Sequence, residues 1–323
     1  MDDHMPREHS YNVAGFSFTV RLPDEADVRL LLPAFVPFLA TTPDGYSGET
    51  EHIFSFDACQ DAGYSMSALS ELDRIKDDMG ETVLLKSGSG YVVRLSPLSG
   101  SYVHQMDVSE DFSCARAVIS WNDASAASAL SSLLRIVYSM AVLVHGAVSV
   151  HASCVATDGN AYMFMGRSGT GKSTHSRLWM QNVPGTSLVN DDNPLVRFTD
   201  GICMVFGTPW SGKTPCYRNV GFPLCGIVRL VQSSENVFHP KRDAEAFAAL
   251  LPGCSVIRSD EHMFDAACDT LVRISECVPV GILECRPDAE AVSICRNSLE
   301  SALWILQDGM EKIHHQPTRN III

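Results

Sequence analysis

Short runs of alternating apolar and polar residues dominate the first 121 positions of the chain. The alternation is clearest at 16–22 and at 115–119, and a period of two is typical of half-buried strands. A Gly/Ser turn at 87–90 separates two further apolar runs and predicts a hairpin. We therefore predict a strand-rich N-terminal domain, 1–122, built on an antiparallel sheet.

The pattern changes after residue 122. Apolar residues from Leu130 to Val144 recur at helical spacing, which predicts a helix capped by Asn122 or Asp123. From residue 147 onward, strand and helix patterns alternate. The predicted strands are 148–156, 161–165, 187–189, 195–198, 202–206, 225–231 and 281–285, and the predicted helices are 172–182, 242–251, 260–275 and 288–300. The prediction is a second domain over 123–323; the alternative is one mixed domain with the first helix packed under the sheet.

Charge and composition exclude some partners. The 323 residues are 46% hydrophobic and 19% charged, which is typical of a folded protein. With 24 Lys+Arg against 38 Asp+Glu the formal charge is −14, so a nucleic-acid partner and an anionic membrane surface are both disfavoured. The start of the chain lacks a basic segment followed by an apolar one, and the 11 Cys form no C-x-x-C pair. We therefore expect a cytoplasmic protein with reduced thiols and no membrane partner.

A glycine-rich segment at 166–173 fits the pattern G-x-x-x-x-G-K-[ST]. It follows a predicted strand and opens a predicted helix, so successive backbone N–H groups and the helix N-terminus can bind a phosphate. The alternative is a structural turn. The candidate nucleotide-binding residues are Gly166, Ser168, Gly169, Thr170, Gly171, Lys172, Ser173 and Thr174.

The same pattern occurs again at 207–214, where a strand precedes it and no helix follows. Without a helix N-terminus it is a poor main nucleotide site. We interpret it as a basic loop whose Lys213, together with Arg218, faces the reacting phosphate or the acceptor. An ordinary surface loop is the alternative.

An acidic pair, Asp191 and Asp192, follows a short strand 19 residues after Lys172. Phosphoryl transfer needs one carboxylate to help hold Mg²⁺ and another to accept the proton of the attacking hydroxyl. Side chains of neighbouring strand residues point to opposite faces, so a bend must bring both inward. A solvated turn is the competing interpretation. His151, ahead of the glycine-rich segment, is by itself as well explained as a core or surface residue.

Together these residues resemble the HPr kinase/phosphorylase family, which shares a superfamily with phosphoenolpyruvate carboxykinase. Members carry a histidine and a small residue fifteen positions ahead of the first loop glycine, as His151-Ala152 stands here, and a paired Asp after the loop helix. The resemblance covers roughly 151–231. It implies an α/β fold with a P-loop mixed sheet of this type, preceded by the strand-rich region.

The resemblance also implies an activity. Lys172 and Ser173 would bind phosphate and metal, Asp191 and Asp192 would divide the base and metal roles, and His151 would line the site. We expect Asp191 to take the proton and Asp192 to hold Mg²⁺ with Ser173. In size and loop pattern the chain is similar to shortened HPr-kinase-like proteins that phosphorylate small peptides.

The expected function is therefore an ATP- and Mg²⁺-dependent kinase acting on a hydroxyl of a peptide or small protein, with the N-terminal sheet docking the acceptor. The alternatives are a small-metabolite kinase and a non-catalytic nucleotide-binding regulator. Because relatives assemble into rings, a homo-oligomer is also expected.

Overall fold

The computed structural model describes residues 7–23, 26–40, 50–59, 69–77, 80–212 and 214–314, which form a mixed α/β fold with two mixed sheets. The first sheet has the strand order β1-β2-β3-β8-β7-β6-β5-β4. Its strands are β1 (Arg7–Val13), β2 (Phe16–Leu22), β3 (Glu51–Cys59), β4 (Ser70–Asp77), β5 (Gly80–Ser87), β6 (Gly90–Pro97), β7 (His104–Ser109) and β8 (Cys114–Val118).

The predicted hairpin is confirmed, because β5 and β6 pair antiparallel around Ser87 and Gly90. The prediction of a wholly antiparallel sheet is wrong at β3, which runs parallel to both β2 and β8. Parallel neighbours need long connections. The chain reaches β3 from β2 through residues 23–50 and reaches β8 from β3 only after four other strands. The alternation of apolar and polar residues indicates which face of a strand is buried, but it carries no information on the direction of the strand.

The second sheet has nine strands in the order β12-β10-β11-β15-β14-β13-β9, with β17 paired to β15 and β16 paired to β17. The strands are β9 (Ala147–Ser149), β10 (Ala152–Thr157), β11 (Asn160–Met165), β12 (Ser187–Asn190), β13 (Leu195–Thr199), β14 (Ile202–Phe206), β15 (Gly221–Gln232), β16 (Val237–Lys241) and β17 (Val280–Cys285). The central strand β15 is parallel to β11 and β17 and antiparallel to β14.

The single strand predicted at 148–156 is wrong. The chain breaks into β9, which pairs with β13, and β10, which pairs with β11 and β12. At the break, the N–H of His151 donates to the Gly253 carbonyl and that of Ala152 to the Asp192 carbonyl. His151 therefore lies at a bend between two strands, not on a strand.

Six α-helices cover the sheets: α1 (Val28–Leu31), α2 (Ala126–Ala141), α3 (Lys172–Asn182), α4 (Asp243–Leu250), α5 (Glu261–Cys277) and α6 (Ala289–His314), counted within the described residues. The cap predicted for α2 is wrong, because Ser125 is the N-cap residue. The Asp123 carboxylate instead accepts the backbone N–H of Ser125 and fixes the turn before the helix. None of the helices in the described ranges has the length and apolar content needed to cross a membrane.

One hydrophobic core connects the two sheets. The buried face of α2, with Leu130, Leu134 and Val137, belongs to the same cluster as Phe18 of the first sheet and Val148 of the second. Helix α2 therefore contributes to a core that both sheets share. The division at residue 122 stays a prediction.

Candidate functional site

The glycine-rich loop lies between β11 and α3, so the predicted strand and helix on its two sides are confirmed. Gly171 is the N-cap of α3 in the left-handed region, with φ of +107°. A Cβ built on Gly169 or Gly171 would meet no atom within 4 Å, so the backbone borders open space there. Glycine is needed for the conformation, and the space next to it lies at the positive end of a helix.

Lys172, the first residue of α3, is buried at the base of this loop. Its ammonium donates to the Gly166 carbonyl at 3.0 Å and lies 2.9 Å from His151 Nε2. Burial lowers the pKa of Lys172, and the nearby carboxylates of Asp192 and Asp191 offset this only in part. The cation is held at a fixed position beside the loop rather than extended into solvent.

His151 joins Lys172 to Asp192. Its Nδ1 lies 3.2 Å from Asp192 Oδ1, while its Nε2 faces the ammonium of Lys172. The two ring nitrogens thus have different partners, one a carboxylate and the other an ammonium, and these contacts fix the orientation of the ring. An ammonium, an imidazole and a carboxylate thus form a continuous chain of polar contacts.

Asp192 also faces a second cation. Arg135 on α2 places its guanidinium 3.5 Å from Asp192 Oδ2. Burial acts to raise the pKa of Asp192, but the hydrogen bond from His151 and the charges of Arg135 and Lys172 outweigh it and hold the pKa below its usual value. Asp192 is therefore an anion at neutral pH.

Asp191 has a different environment and is only 4% exposed. The Ser153 hydroxyl donates to its Oδ1 at 2.7 Å, and the backbone N–H of Thr214 donates to its Oδ2 at 3.3 Å. Ser153 is also 2.6 Å from the Ser176 hydroxyl of α3, so Asp191 is connected to the helix behind the loop. Both carboxylate oxygens of Asp191 have protein partners.

The bend that separates the two acids is organised by Asn190. Its side-chain oxygen accepts the backbone N–H groups of Asp192 and Asn193 at 2.9 and 2.8 Å. Its amide group donates to the carbonyls of Thr208 and Trp210 at 3.2 and 3.0 Å. One buried amide thus joins the acidic turn to the segment that carries the second lysine motif.

That second segment packs closely against the acidic turn. A Cβ added at Gly212 would lie 2.8 Å from the Asp191 carbonyl oxygen, so the two backbones touch. The Trp210 indole N–H donates to the Ser131 carbonyl of α2 at 3.0 Å. Lys213 lies outside the described residues. Arg218 donates to the Leu188 carbonyl at 2.7 Å, so its guanidinium contacts the first half of β12.

The remaining candidate residues of the glycine-rich loop and of the first turn of α3 are more accessible than Lys172. Ser168 and Ser173 are exposed, and Thr170 and Thr174 are half-buried. The Thr170 hydroxyl donates to the Arg167 carbonyl within the loop. Within the described ranges, no three His, Cys, Asp or Glu side chains converge as a metal site. Magnesium in phosphate-transfer sites is held by one or two carboxylates together with the substrate phosphates, which two Asp and Ser173 could satisfy.

Three of these contacts have no signal in the sequence. Ser153, Ser176 and Arg135 fall outside every motif, and they reach the site because β10, α3 and α2 meet beside the acidic turn.

A cavity of about 540 Å³ opens beside this chain of contacts. His151, Asn193 and Arg135 line it beside the acidic turn. The rest is lined by β4, β5, β6, α2 and the segment 254–259. The cavity therefore extends from the acidic turn to the first sheet.

No protein-family model matches the chain, and no curated protein matches it either. Among solved structures, the HPr(Ser) kinase/phosphatase from Coxiella burnetii is similar to it at 12% sequence identity. The match covers 53% of this chain and 99% of that one, with a TM-score of 0.32. This is a distant structural similarity, and it carries no argument about function.

Proposed function

We propose that this chain is an ATP- and Mg²⁺-dependent kinase that transfers the γ-phosphoryl group to a hydroxyl, a serine of a peptide or small protein. The observation that carries the proposal is the polar chain from Lys172 through His151 to Asp192. It joins a cation at a helix N-terminus to a carboxylate beside a cavity. Phosphoryl transfer requires a cation that holds the phosphates and, next to it, a carboxylate that accepts the proton of the hydroxyl.

The side of the site that would hold the phosphoryl donor fits a nucleoside triphosphate. Gly169 and Gly171 leave open space over their backbone, and the first turn of α3 presents N–H groups to it. Lys172 would hold the β- and γ-phosphates, and the exposed Ser173 hydroxyl is free to contact the metal. When bound, Mg·ATP supplies the phosphoryl group and the divalent charge that offsets its negative charge.

The acceptor side favours a division of roles opposite to the one expected from sequence. Both carboxylates have a partner on each oxygen, but Asp191 is only 4% exposed, whereas the Asp192 side chain is 23% exposed and contacts the cavity residue His151. We therefore assign Asp192, oriented by His151, to the acceptor hydroxyl and its proton. Asp191, fixed by Ser153, is assigned to the metal side. Lys213 and Arg218 keep the auxiliary role expected for them from the sequence.

The test is transfer from γ-labelled ATP with Mg²⁺ to the peptides and proteins of a cell extract. We expect labelled product with the native chain and a loss of about 100-fold or more in Lys172→Ala and Asp192→Asn, because each removes charge stabilisation or proton acceptance. Lys241→Ala is the matched control, since Lys241 lies on β16 and pairs with Glu245.

The outcomes separate the alternatives. Label confined to small molecules would replace the peptide acceptor by a metabolite. Tight ATP binding without transfer to any component would contradict the kinase and favour a regulator. Equal labelling by Lys172→Ala and Lys241→Ala would remove the loop from the mechanism.

A further inference from the structure

The cavity beside His151 has an apolar floor and an apolar wall. Leu84 and Val93 of the first sheet form the floor, and Ile136 and Met140 of α2 form the wall. Its volume of about 540 Å³ is in the range of pockets that enclose an organic ligand. The rest of the lining is mixed, because Arg135, Arg258 and Asp73 also line the cavity. The patch formed by Leu84, Val93, Ile136 and Met140 suits an aliphatic or aromatic group, and charged side chains stand next to it.

Two buried polar atoms in the lining have no hydrogen-bond partner among the described residues, Ser139 Oγ and Asn193 Nδ2. The two residues are 2% and 4% exposed. Buried donors and acceptors are nearly always paired, because an unpaired one has lost its hydrogen bonds to water without replacement. Both atoms have almost no accessible surface, so each meets a ligand only when its side chain rotates towards the cavity. The Asn193 amide can then donate to one carbonyl oxygen and the Ser139 hydroxyl to another. These two atoms fit a backbone segment next to an apolar side chain.

The lining reaches the protein surface at Ile75, which is 54% exposed and lies on β4, the end strand of the described sheet; we call this side the open end of the cavity. At Leu72 the pairing of β4 with β5 shifts by one residue, and both Leu72 and Asp73 line the cavity. Such bulges re-aim side chains at sheet edges. A ligand longer than the cavity can leave it across this edge.

We propose that this cavity binds the part of a peptide acceptor next to its reacting serine, with one or two aliphatic or aromatic side chains inside. The proposal rests on the kinase function proposed above and adds its specificity. The inner end presents the serine hydroxyl to His151 and Asp192. The peptide backbone bonds to Asn193 and Ser139, and the remaining chain crosses β4.

Binding of synthetic peptides tests this proposal independently of phosphoryl transfer. The probes are fluorescent heptapeptides with a central serine, in which each flanking position is scanned through aliphatic, aromatic, acidic and basic residues. Fluorescence anisotropy gives the dissociation constant. We expect peptides with aliphatic or aromatic flanking residues to bind best to the native protein.

Two matched variants locate the binding. Ile75→Asp puts a charge at the open end of the cavity, while Ile202→Asp puts one on β14 of the second sheet, where the isoleucine is 53% exposed. Neither removes a core side chain. Ile75→Asp should weaken the best peptide about tenfold or more and shift the preference towards lysine-flanked peptides, because apolar pocket contacts discriminate by roughly 10–200-fold. Ile202→Asp should bind it as the native protein does.

Ser139→Ala supplies a second readout at the inner end. It should weaken the best peptide severalfold, as expected for loss of one hydrogen bond. Equal effects of Ile75→Asp and Ile202→Asp would overturn the proposal. A preference for acidic flanking residues, binding of small alcohols alone, or no peptide binding would also overturn it. Absence of ATP turnover counts against the proposed kinase. The peptide measurement still decides whether the cavity binds a peptide.

Discussion

Asp123 shows how a single side chain fixes the start of α2. Its carboxylate accepts the backbone N–H groups of Ser101 and Ser125 at 2.8 and 2.7 Å, and the Ser125 hydroxyl also donates to it. The hydrogen bond from the Ser125 side chain, helped by the two backbone donors, lowers the pKa of Asp123 to about 2. The ionised form is therefore the one that the folded state prefers.

This lowered pKa predicts a pH dependence of stability. A carboxylate with a depressed pKa stabilises the fold above its ordinary value near 3.8, and the effect is lost as the pH falls towards 2. Asp123→Asn should therefore be less stable than the native chain at pH 6, with the difference shrinking between pH 4 and pH 2. Urea unfolding at a series of pH values measures it. A difference that is constant with pH would show that the charge is irrelevant.

At the residue scale, sequence spacing identified the residues that share one motif and missed those that converge from elsewhere. The spacing of the histidine and of the acidic pair from the glycine-rich loop made candidates of Lys172, Asp192 and His151. In the structure these three side chains are in contact. Arg135 and Ser153 contact the same acids. They come from other elements, and a tertiary contact has no sequence period.

At the element scale, the acidic turn depends on Asn190. This buried side chain joins the turn to residues Thr208 and Trp210 of the neighbouring segment. The second lysine motif thus has a structural role that the sequence pattern alone did not indicate. Because its backbone packs on Asp191, movement of this segment would displace the carboxylate.

Removing the Asn190 side chain should affect stability and the site together. Asn190→Ala leaves several buried backbone groups unpaired, so we expect a loss of at least about 2 kcal/mol in the free energy of unfolding. Chemical denaturation measures it. Asn182→Ala is the matched control, because Asn182 is exposed at the end of α3 and bonds only locally. If the two variants unfold alike, Asn190 does not hold the turn.

The elements themselves were partly predictable. Strands β11 and β12 were predicted from apolar runs, and helix α3 from its place after the glycine-rich loop; all three were confirmed. The break at His151 was not predictable. Residues 148–156 form one apolar run in the sequence, and the chain changes its hydrogen-bonding partners within that run. A change of sheet partner depends on strands far away in the sequence.

At the scale of the whole molecule, a shared core holds together the parts of the chain that form the candidate site. Helix α2 packs against the first sheet, contributes Arg135 to Asp192 and bonds to Trp210 through Ser131. The first sheet contributes the floor of the cavity that ends at His151. Composition predicted a folded acidic protein, and only the packing shows that the N-terminal strands reach the site.

The most direct measurement is the binding of ATP with and without Mg²⁺, monitored by isothermal titration calorimetry. It needs no acceptor and tests whether the loop at 166–173 is a phosphate site. We expect the native chain to bind ATP more tightly with Mg²⁺, Lys172→Ala to weaken binding by about tenfold or more because a charge-assisted contact is lost, and Lys241→Ala to bind normally. A native chain that does not bind ATP, or Lys172→Ala binding equally well, would contradict the account.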